Sequence, residues 1–308
     1  MKKASIDIGS NSILLLVAEV SNNKIVQVLE NESRITGLGR NLDELGEFIP
    51  EAMEDSFQAL KEYKDICEQA GVATGRIVAT ATEASRVANN SNEFFDKVRN
   101  ELGINVTIIN GRGEAYYSTK GVLVGEEGDR QKMFIMDIGG ASTEFIAVNK
   151  QLKIDYSFSL PVGSVRMTNW LESDDFDSKF SKALESFKEE LSKTRTPLLH
   201  CVAGTLTSLA NMHLENKDFV ENQVHGHVLE MSDINNLVER YSNFSPKEFL
   251  AEFPFLGKRS RAIRGGLLLT KKLGEIVGVE KFKVSTYGLR YGTILEQRIE
   301  EEYVHTKL

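Results

Sequence analysis

The sequence predicts an α/β protein of two related domains that face each other across a cleft. Three observations carry this expectation. Runs with strand character alternate with runs of helical spacing along the chain. The segment Asp7-Ile8-Gly9-Ser10-Asn11-Ser12 returns as Asp137-Ile138-Gly139-Gly140-Ala141-Ser142, the copy starting at 137 against 7, 130 residues later. A length of 308 residues is also large for one core. The expected domains are residues 1–124 and 125–308. Their boundary falls in the polar loop at 122–129, and the final helix is expected to pack back on the first domain.

Short β-rich runs at 4–7, 13–20 and 24–29, separated by Gly, Ser and Asn, read as three neighbouring strands. A helix over 50–70 follows, because Met53, Phe57, Leu60 and Cys67 recur at helical spacing between Pro50 and Gly71. Next come a strand at 76–81, helical segments through 85–102, a strand at 105–109 and a helix beginning near Gly113. A second cycle has strands at 133–137, 143–148 and 153–158 and a long helix over 176–193, repeating the opening pattern.

With 41% hydrophobic and 27% charged residues and no low-complexity stretch, the chain has the composition of a folded protein. A net charge of −8 argues against a general binder of nucleic acid or anionic membrane, which needs a positive surface to displace counterions. Cys67 and Cys201 are too few and too isolated for a disulfide framework or a cysteine zinc site. Buried thiols in a reducing cytoplasm are the simpler expectation. Near the N-terminus Asp7 and Gly9 interrupt the apolar segment, and the run at 13–18 is too short to span a bilayer, so neither export nor membrane insertion is expected.

The duplicated turns carry the chemistry. A glycine in a tight β-turn lets backbone N–H groups approach an anion, and the following Ser and Asn add donors. A carboxylate beside a phosphate is repulsive unless a hard cation lies between them, so Asp7 and Asp137 point to Mg²⁺. One such hairpin reads more readily as an ordinary turn; two copies argue for phosphate binding.

The segment Met136-Asp137-Ile138-Gly139-Gly140-Ala141-Ser142-Thr143-Glu144 resembles the signature of the exopolyphosphatase/guanosine pentaphosphate phosphohydrolase family, a branch of the actin-like, sugar-kinase-like superfamily. Asp7 to Ser12 is similar to its first phosphate loop. The block from Ala81 through Arg86 to Asn90 resembles its arginine motif, and Asn110-Gly111-Arg112-Gly113-Glu114-Ala115 the block with its catalytic glutamate. Leu160-Pro161-Val162-Gly163-Ser164-Val165-Arg166, Ala203-Gly204-Thr205-Leu206-Thr207 and Gly288-Leu289-Arg290-Tyr291-Gly292 match later blocks, so the resemblance covers essentially the whole chain.

The resemblance implies two actin-like (ribonuclease H-like) domains and Mg²⁺-dependent release of terminal phosphate from inorganic polyphosphate or guanosine pentaphosphate. It makes Glu114 the base that activates water, although a carboxylate at a helix N-terminus is also favoured by the dipole alone. Arg86 would clamp the terminal phosphate, with a surface salt bridge as the plainer alternative. Gly9, Ser10, Asn11, Ser12, Gly139, Gly140, Ala141 and Ser142 would bind phosphoryl oxygens. Gly204 and Thr205 would form a further turn near the phosphates, although Thr205 reads equally as a helix cap. Asp7 and Asp137 would hold the metal, and Glu144 the metal or the water.

Lys258, Arg259, Arg261 and Arg264 gather just before or within the first turns of a helix running to 277, as a track for a polyphosphate tail or as a solvated charge run. Where the family has acidic residues, this chain has Arg112-Gly113, and an arginine beside the base should weaken it as a proton acceptor. A non-catalytic or weakly catalytic alarmone or polyphosphate sensor is therefore the alternative, with an ATP-dependent kinase of the same superfamily behind it. His225-Gly226-His227 lacks the companions of a metal site. No nucleic-acid or membrane partner is expected, and a homodimer is within the reach of paired lobes of this type.

Overall fold

The computed structural model describes residues 1–124, 132–150, 153–173 and 176–306. The Gly-Glu-Glu-Gly-Asp loop expected at the domain boundary lies outside the described residues. The chain divides into two compact units, Met1–Glu126 with Tyr287–Leu308, and Glu127–Thr286.

In the first unit, β1 (Lys2–Ile8), β2 (Ser12–Ser21) and β3 (Lys24–Ile35) form an antiparallel meander. To it β4 (Ile77–Ala81) and β5 (Val106–Ile108) add in parallel, in the order β3-β2-β1-β4-β5. Both kinds of connection follow from the sequence: glycine and asparagine turns join the antiparallel strands, and helices return the parallel ones. The helix Pro50–Gln69 has proline in its first turn and buries Phe57, Leu60, Tyr63 and Cys67 against Ile6, Ile8 and Leu15. The chain leaves it at Gly71, whose φ of 77° suits a residue without Cβ. The helix Ser91–Leu102 buries Phe94, Phe95, Val98 and Leu102 and stops at Gly103 in the left-handed region.

The second unit repeats this plan with one more strand. β6 (Met133–Ile138), β7 (Thr143–Val148) and β8 (Ile154–Leu160) form the meander, while β9 (Leu198–Val202), β10 (Val228–Glu230) and β11 (Lys281–Val284) complete the order β10-β11-β9-β6-β7-β8. The fold is thus α/β and twice repeated, as the sequence and the resemblance imply. Cys67 and Cys201 are both free and buried.

One expectation needs correction. The single helix over 176–193 is two helices, Phe176–Glu185 and Lys188–Lys193, because Phe187 leaves helical geometry (φ −118°, ψ 11°) and its ring stacks on Phe158 of β8 at 5.9 Å. The cationic run lies where expected, just before and within the first turn of its helix: Lys258, Arg259 and Arg261 lie in the 3₁₀ segment Pro254–Arg261, and Arg264 lies inside Ile263–Val277.

The helix Leu289–Thr293 joins the first unit by packing on Gly111–Val124. Their backbones touch: a Cβ at Gly121 would lie 2.0 Å from the Gly288 oxygen, and one at Gly292 would lie 2.0 Å from the Tyr117 oxygen. No helix among the described residues is long and apolar enough to cross a membrane.

Candidate functional site

The duplicated hairpins close in the same way. Gly9 N–H donates to the Ser12 carbonyl at 3.0 Å, and Gly139 N–H to the Ser142 carbonyl at 3.0 Å. These glycine amides are committed to the turn. In the first hairpin the Ser10 carbonyl accepts from Gly39 N–H (2.7 Å), and the Asn11 carbonyl from Thr36 and Gly37 (3.1 and 3.0 Å). In the second, the helix Ser164–Leu171 presents its first N–H groups to the loop: Ser164 donates to the Gly139 carbonyl, and Val165 and Arg166 to that of Gly140. A trans peptide points its N–H opposite its carbonyl. With these carbonyls taken up, the N–H groups of the same peptides, at Asn11, Ser12, Gly140 and Ala141, point away from those donors. That is the arrangement an anion cradle requires.

The C-terminal ends of three adjacent parallel strands bring Asp7, Arg86 and Glu114 into one neighbourhood. Asp7 sits at the end of β1, opposite Leu14 of β2 and beside Thr80 of β4. The short helix Glu83–Val87 after β4 carries Arg86, and the helix Gly111–Val124 after β5 carries Glu114 in its first turn. Arg86 Nη1 donates to Glu114 Oε2 at 2.9 Å and to the Ile109 carbonyl at 2.8 Å. Both side chains are largely enclosed, so this pair is not the solvated salt bridge the sequence left open. Asp7 Oδ1 is enclosed without a hydrogen-bond partner. Burial, and next the charge of Glu114, push the Asp7 carboxyl up to about 7, while Arg290 opposes the rise.

Arg112 does not act on Glu114 as its sequence neighbourhood suggested. Its guanidinium reaches outward to Glu302 at 3.4 Å on an exposed face, and the cation against Glu114 is Arg86.

In the second unit Asp137 faces Glu144 directly across β6 and β7, where the first copy has Asp7 facing Leu14. Glu144 is buried, and its Oε1 accepts from the hydroxyls of Ser142 and Ser159, both at 2.7 Å. In this structure it fixes a loop hydroxyl. Thr205 does not cap its helix: its Oγ1 donates to the Ile138 carbonyl at 3.0 Å, at the entry to the second hairpin. Gly204 faces the Arg259 guanidinium, which a Cβ there would meet at 2.6 Å. Arg259 donates to Ser208 Oγ, and burial lowers its pKa. His225 Nδ1 lies 3.3 Å from the Thr286 nitrogen, and the His227 ring stands 5.3 Å from that of His213.

Sequence reasoning gave no role to Gly163, Arg166 or Arg290. Gly163 lies where a Cβ would meet the Gly140 carbonyl carbon at 2.5 Å, so the second hairpin rests on bare backbone. Arg166 Nη1 donates to the Ala141 and Pro161 carbonyls at 2.8 and 2.9 Å. Arg290 Nη1 donates to the carbonyls of Leu15 and Glu32 at 3.2 and 3.3 Å. All three lie in blocks that resemble the family pattern, and that was the available signal.

Known proteins resemble the chain over most of its length. A bifunctional 3-dehydroquinate synthase/phosphatase of Fusobacterium nucleatum is 31% identical over 315 residues, covering 96% of this chain and 46% of that protein. An exopolyphosphatase 2 of Mycobacterium tuberculosis is 29% identical, with 95% and 97% covered. A guanosine-5'-triphosphate,3'-diphosphate pyrophosphatase of Aliivibrio fischeri is 28% identical, with 97% and 60% covered. The chain thus spans about half the length of the first relative, nearly all of the second and three fifths of the third. Among solved structures, the Aquifex aeolicus member of the Ppx/GppA family superposes with a TM-score of 0.76 at 30% identity, with 96% of each chain covered. The model of the Ppx/GppA phosphatase family matches residues 16–301, and the chain belongs to that family.

Proposed function

We propose that this chain is a phosphoanhydride hydrolase that releases terminal orthophosphate from inorganic polyphosphate or guanosine pentaphosphate. The observation that carries the reading is the Asp7, Arg86 and Glu114 group, set at the C-terminal ends of adjacent parallel strands, where α/β sheets place their ligands. The names of the mycobacterial and Aliivibrio relatives support the two substrates.

Arg86 holds one oxygen of Glu114, and the other orients a water molecule and takes its proton as the water oxygen attacks the terminal phosphorus in line. The phosphoanhydride P–O bond breaks, and the shortened chain leaves with the electron pair. The outward amides of Asn11 in the first unit and of Gly140 and Ala141 in the second are proposed to hold phosphoryl oxygens.

The residues at Asp7 fit Mg²⁺. An enclosed carboxylate oxygen without a donor, near a second carboxylate, is stabilised by a hard cation. One or two protein carboxylates, with water and phosphate, are the usual Mg²⁺ donor set. Asp7 is proposed as its holder in the first unit, and Asp137 as the corresponding carboxylate of the second. When bound, the ion neutralises phosphate charge. Glu144 is proposed to act through Ser142, whose hydroxyl it fixes.

The test is phosphate release from both substrates with Mg²⁺ present. The parent should release orthophosphate, and Glu114→Gln should lose at least about a hundredfold in kcat while still binding the substrate. Equal turnover by Glu114→Gln would remove Glu114 from the mechanism. No release by the parent from either substrate would sink the reading.

A further inference from the structure

We infer that residues 301–305 form a strap that fixes the geometry of Glu114, with Tyr303 as its central positioning residue; this rests on the role of Glu114 proposed above. β5 is the edge of the first unit's sheet. The strap adds to that edge: Val304 bridges Ile109 in antiparallel fashion, His305 N–H donates to the Ile108 carbonyl at 2.8 Å, and Asn110 N–H donates to the Tyr303 carbonyl at 2.9 Å.

Asn110 joins the strap to the helix that carries Glu114. Its Oδ1 accepts from Gly113 N–H at 2.9 Å, and its carbonyl accepts from Glu114 N–H at 3.0 Å, so it caps the first turn. Its Nδ2 donates to the Glu302 carbonyl at 2.8 Å. Tyr303 then lies flat on the helix, stacked on Tyr116 with centroids 4.7 Å apart and edge-on to Tyr117 at 5.6 Å.

Gly113 is the receptor. A Cβ there would meet Tyr303 Cβ at 2.7 Å and the Tyr303 carbonyl oxygen at 3.0 Å, so a side chain at 113 would lift the strap. The same bridge reaches Arg86, because the Ile109 carbonyl beside the Val304 bridge is the second acceptor of Arg86 Nη1. Strap, Asn110, Ile109, Arg86 and Glu114 form one connected network. Gly113, in the pair that breaks the acidic pattern expected before the base, is what admits Tyr303.

The experiment is steady-state phosphate release from long-chain polyphosphate with Mg²⁺, with thermal unfolding measured in parallel. Tyr303→Ala and Gly113→Val should each lower kcat about tenfold and leave KM within about twofold, because a small shift of the base costs turnover rather than binding. Tyr303→Phe keeps the stacked ring and should retain kcat within about twofold. The double variant Tyr303→Ala/Gly113→Val should be no slower than either single one, since both break one contact. If Tyr303→Ala does not fold, Tyr303→Leu reads the same kcat, expected about threefold lower.

An unchanged kcat in Tyr303→Ala, or in Tyr303→Leu where that variant stands in, overturns the inference. So do losses that multiply in the double variant, or a loss that Tyr303→Phe shares. A parent that turns over and a dead Glu114→Gln, beside an unaffected Tyr303→Ala, would overturn the strap alone. A parent without turnover would instead overturn the proposed function.

Discussion

Gly163→Ala tests whether the second hairpin is set by backbone packing from the following helix. The added Cβ would stand 2.5 Å from the Gly140 carbonyl carbon, 2.6 Å from its oxygen and 2.7 Å from Ala141 N, against 3.4 Å or more for ordinary contact. Gly140 and Ala141 therefore have to retreat by roughly 1 Å, and a misplacement of that size costs about a hundredfold in turnover. Neither side can yield cheaply. The Gly139 and Gly140 carbonyls are held by the N–H groups of Ser164, Val165 and Arg166, and the Ala141 carbonyl by the Arg166 side chain. Overpacking should also cost about 1–3 kcal/mol of stability. Phosphate release at a temperature well below the melting point of the variant, beside denaturant unfolding, separates the two effects. Gly75→Ala, where an added Cβ meets nothing within 4 Å, is the control. A folded Gly163→Ala with kcat within about threefold of the parent would refute the argument that this backbone geometry sets turnover.

Asp7 makes stability depend on pH with a definite sign. Its folded pKa of about 7 lies above the ordinary 3.8, so the native state binds the extra proton and stability falls as pH rises from about 4 through about 7. The ceiling is about 4 kcal/mol, and Asp7→Asn should flatten that slope in unfolding titrations in chelator; an equal slope in both proteins would show that Asp7 does not titrate there. Millimolar Mg²⁺ at neutral pH should raise the Tm of the parent and leave that of Asp7→Asn nearly unmoved, which differential scanning calorimetry reads directly. Gly121→Ala places a Cβ 2.0 Å from a carbonyl oxygen and should destabilise the first unit by at least about 3 kcal/mol, measured by chemical unfolding.

The duplicated hairpins and meanders were legible because glycine, small polar residues and alternating apolar residues act locally, and the repeat made a weak turn signal specific. Asp7, Arg86 and Glu114 were legible as members of blocks, and their pairing was not. Arg112 lies two residues from Glu114 in sequence, yet Arg86, twenty-eight residues away, holds it. A helix turn directs side chains at adjacent positions to different faces, and sequence proximity conceals this. The break at Phe187 was likewise not legible, because the contact with Phe158 that accompanies it is tertiary. Gly163, Gly121 and Gly292 read as ordinary glycines until the distant backbone against each was in place. Glu144 read as a ligand, and of the two serine hydroxyls that reach its Oε1 one comes from the loop two residues before it and the other from the facing position on β8.

The glycine contacts between Gly111–Val124 and Leu289–Thr293 bear on how the protein is made. The second unit is one continuous stretch of chain, whereas the first is assembled from both ends of it. On the ribosome, residues 1–126 emerge early but must wait for 287 onward to supply the surface that Tyr117 and Gly121 touch. Vectorial synthesis therefore lets the later-made unit mature first and leaves the earlier one exposed to chaperones and proteases until the tail arrives.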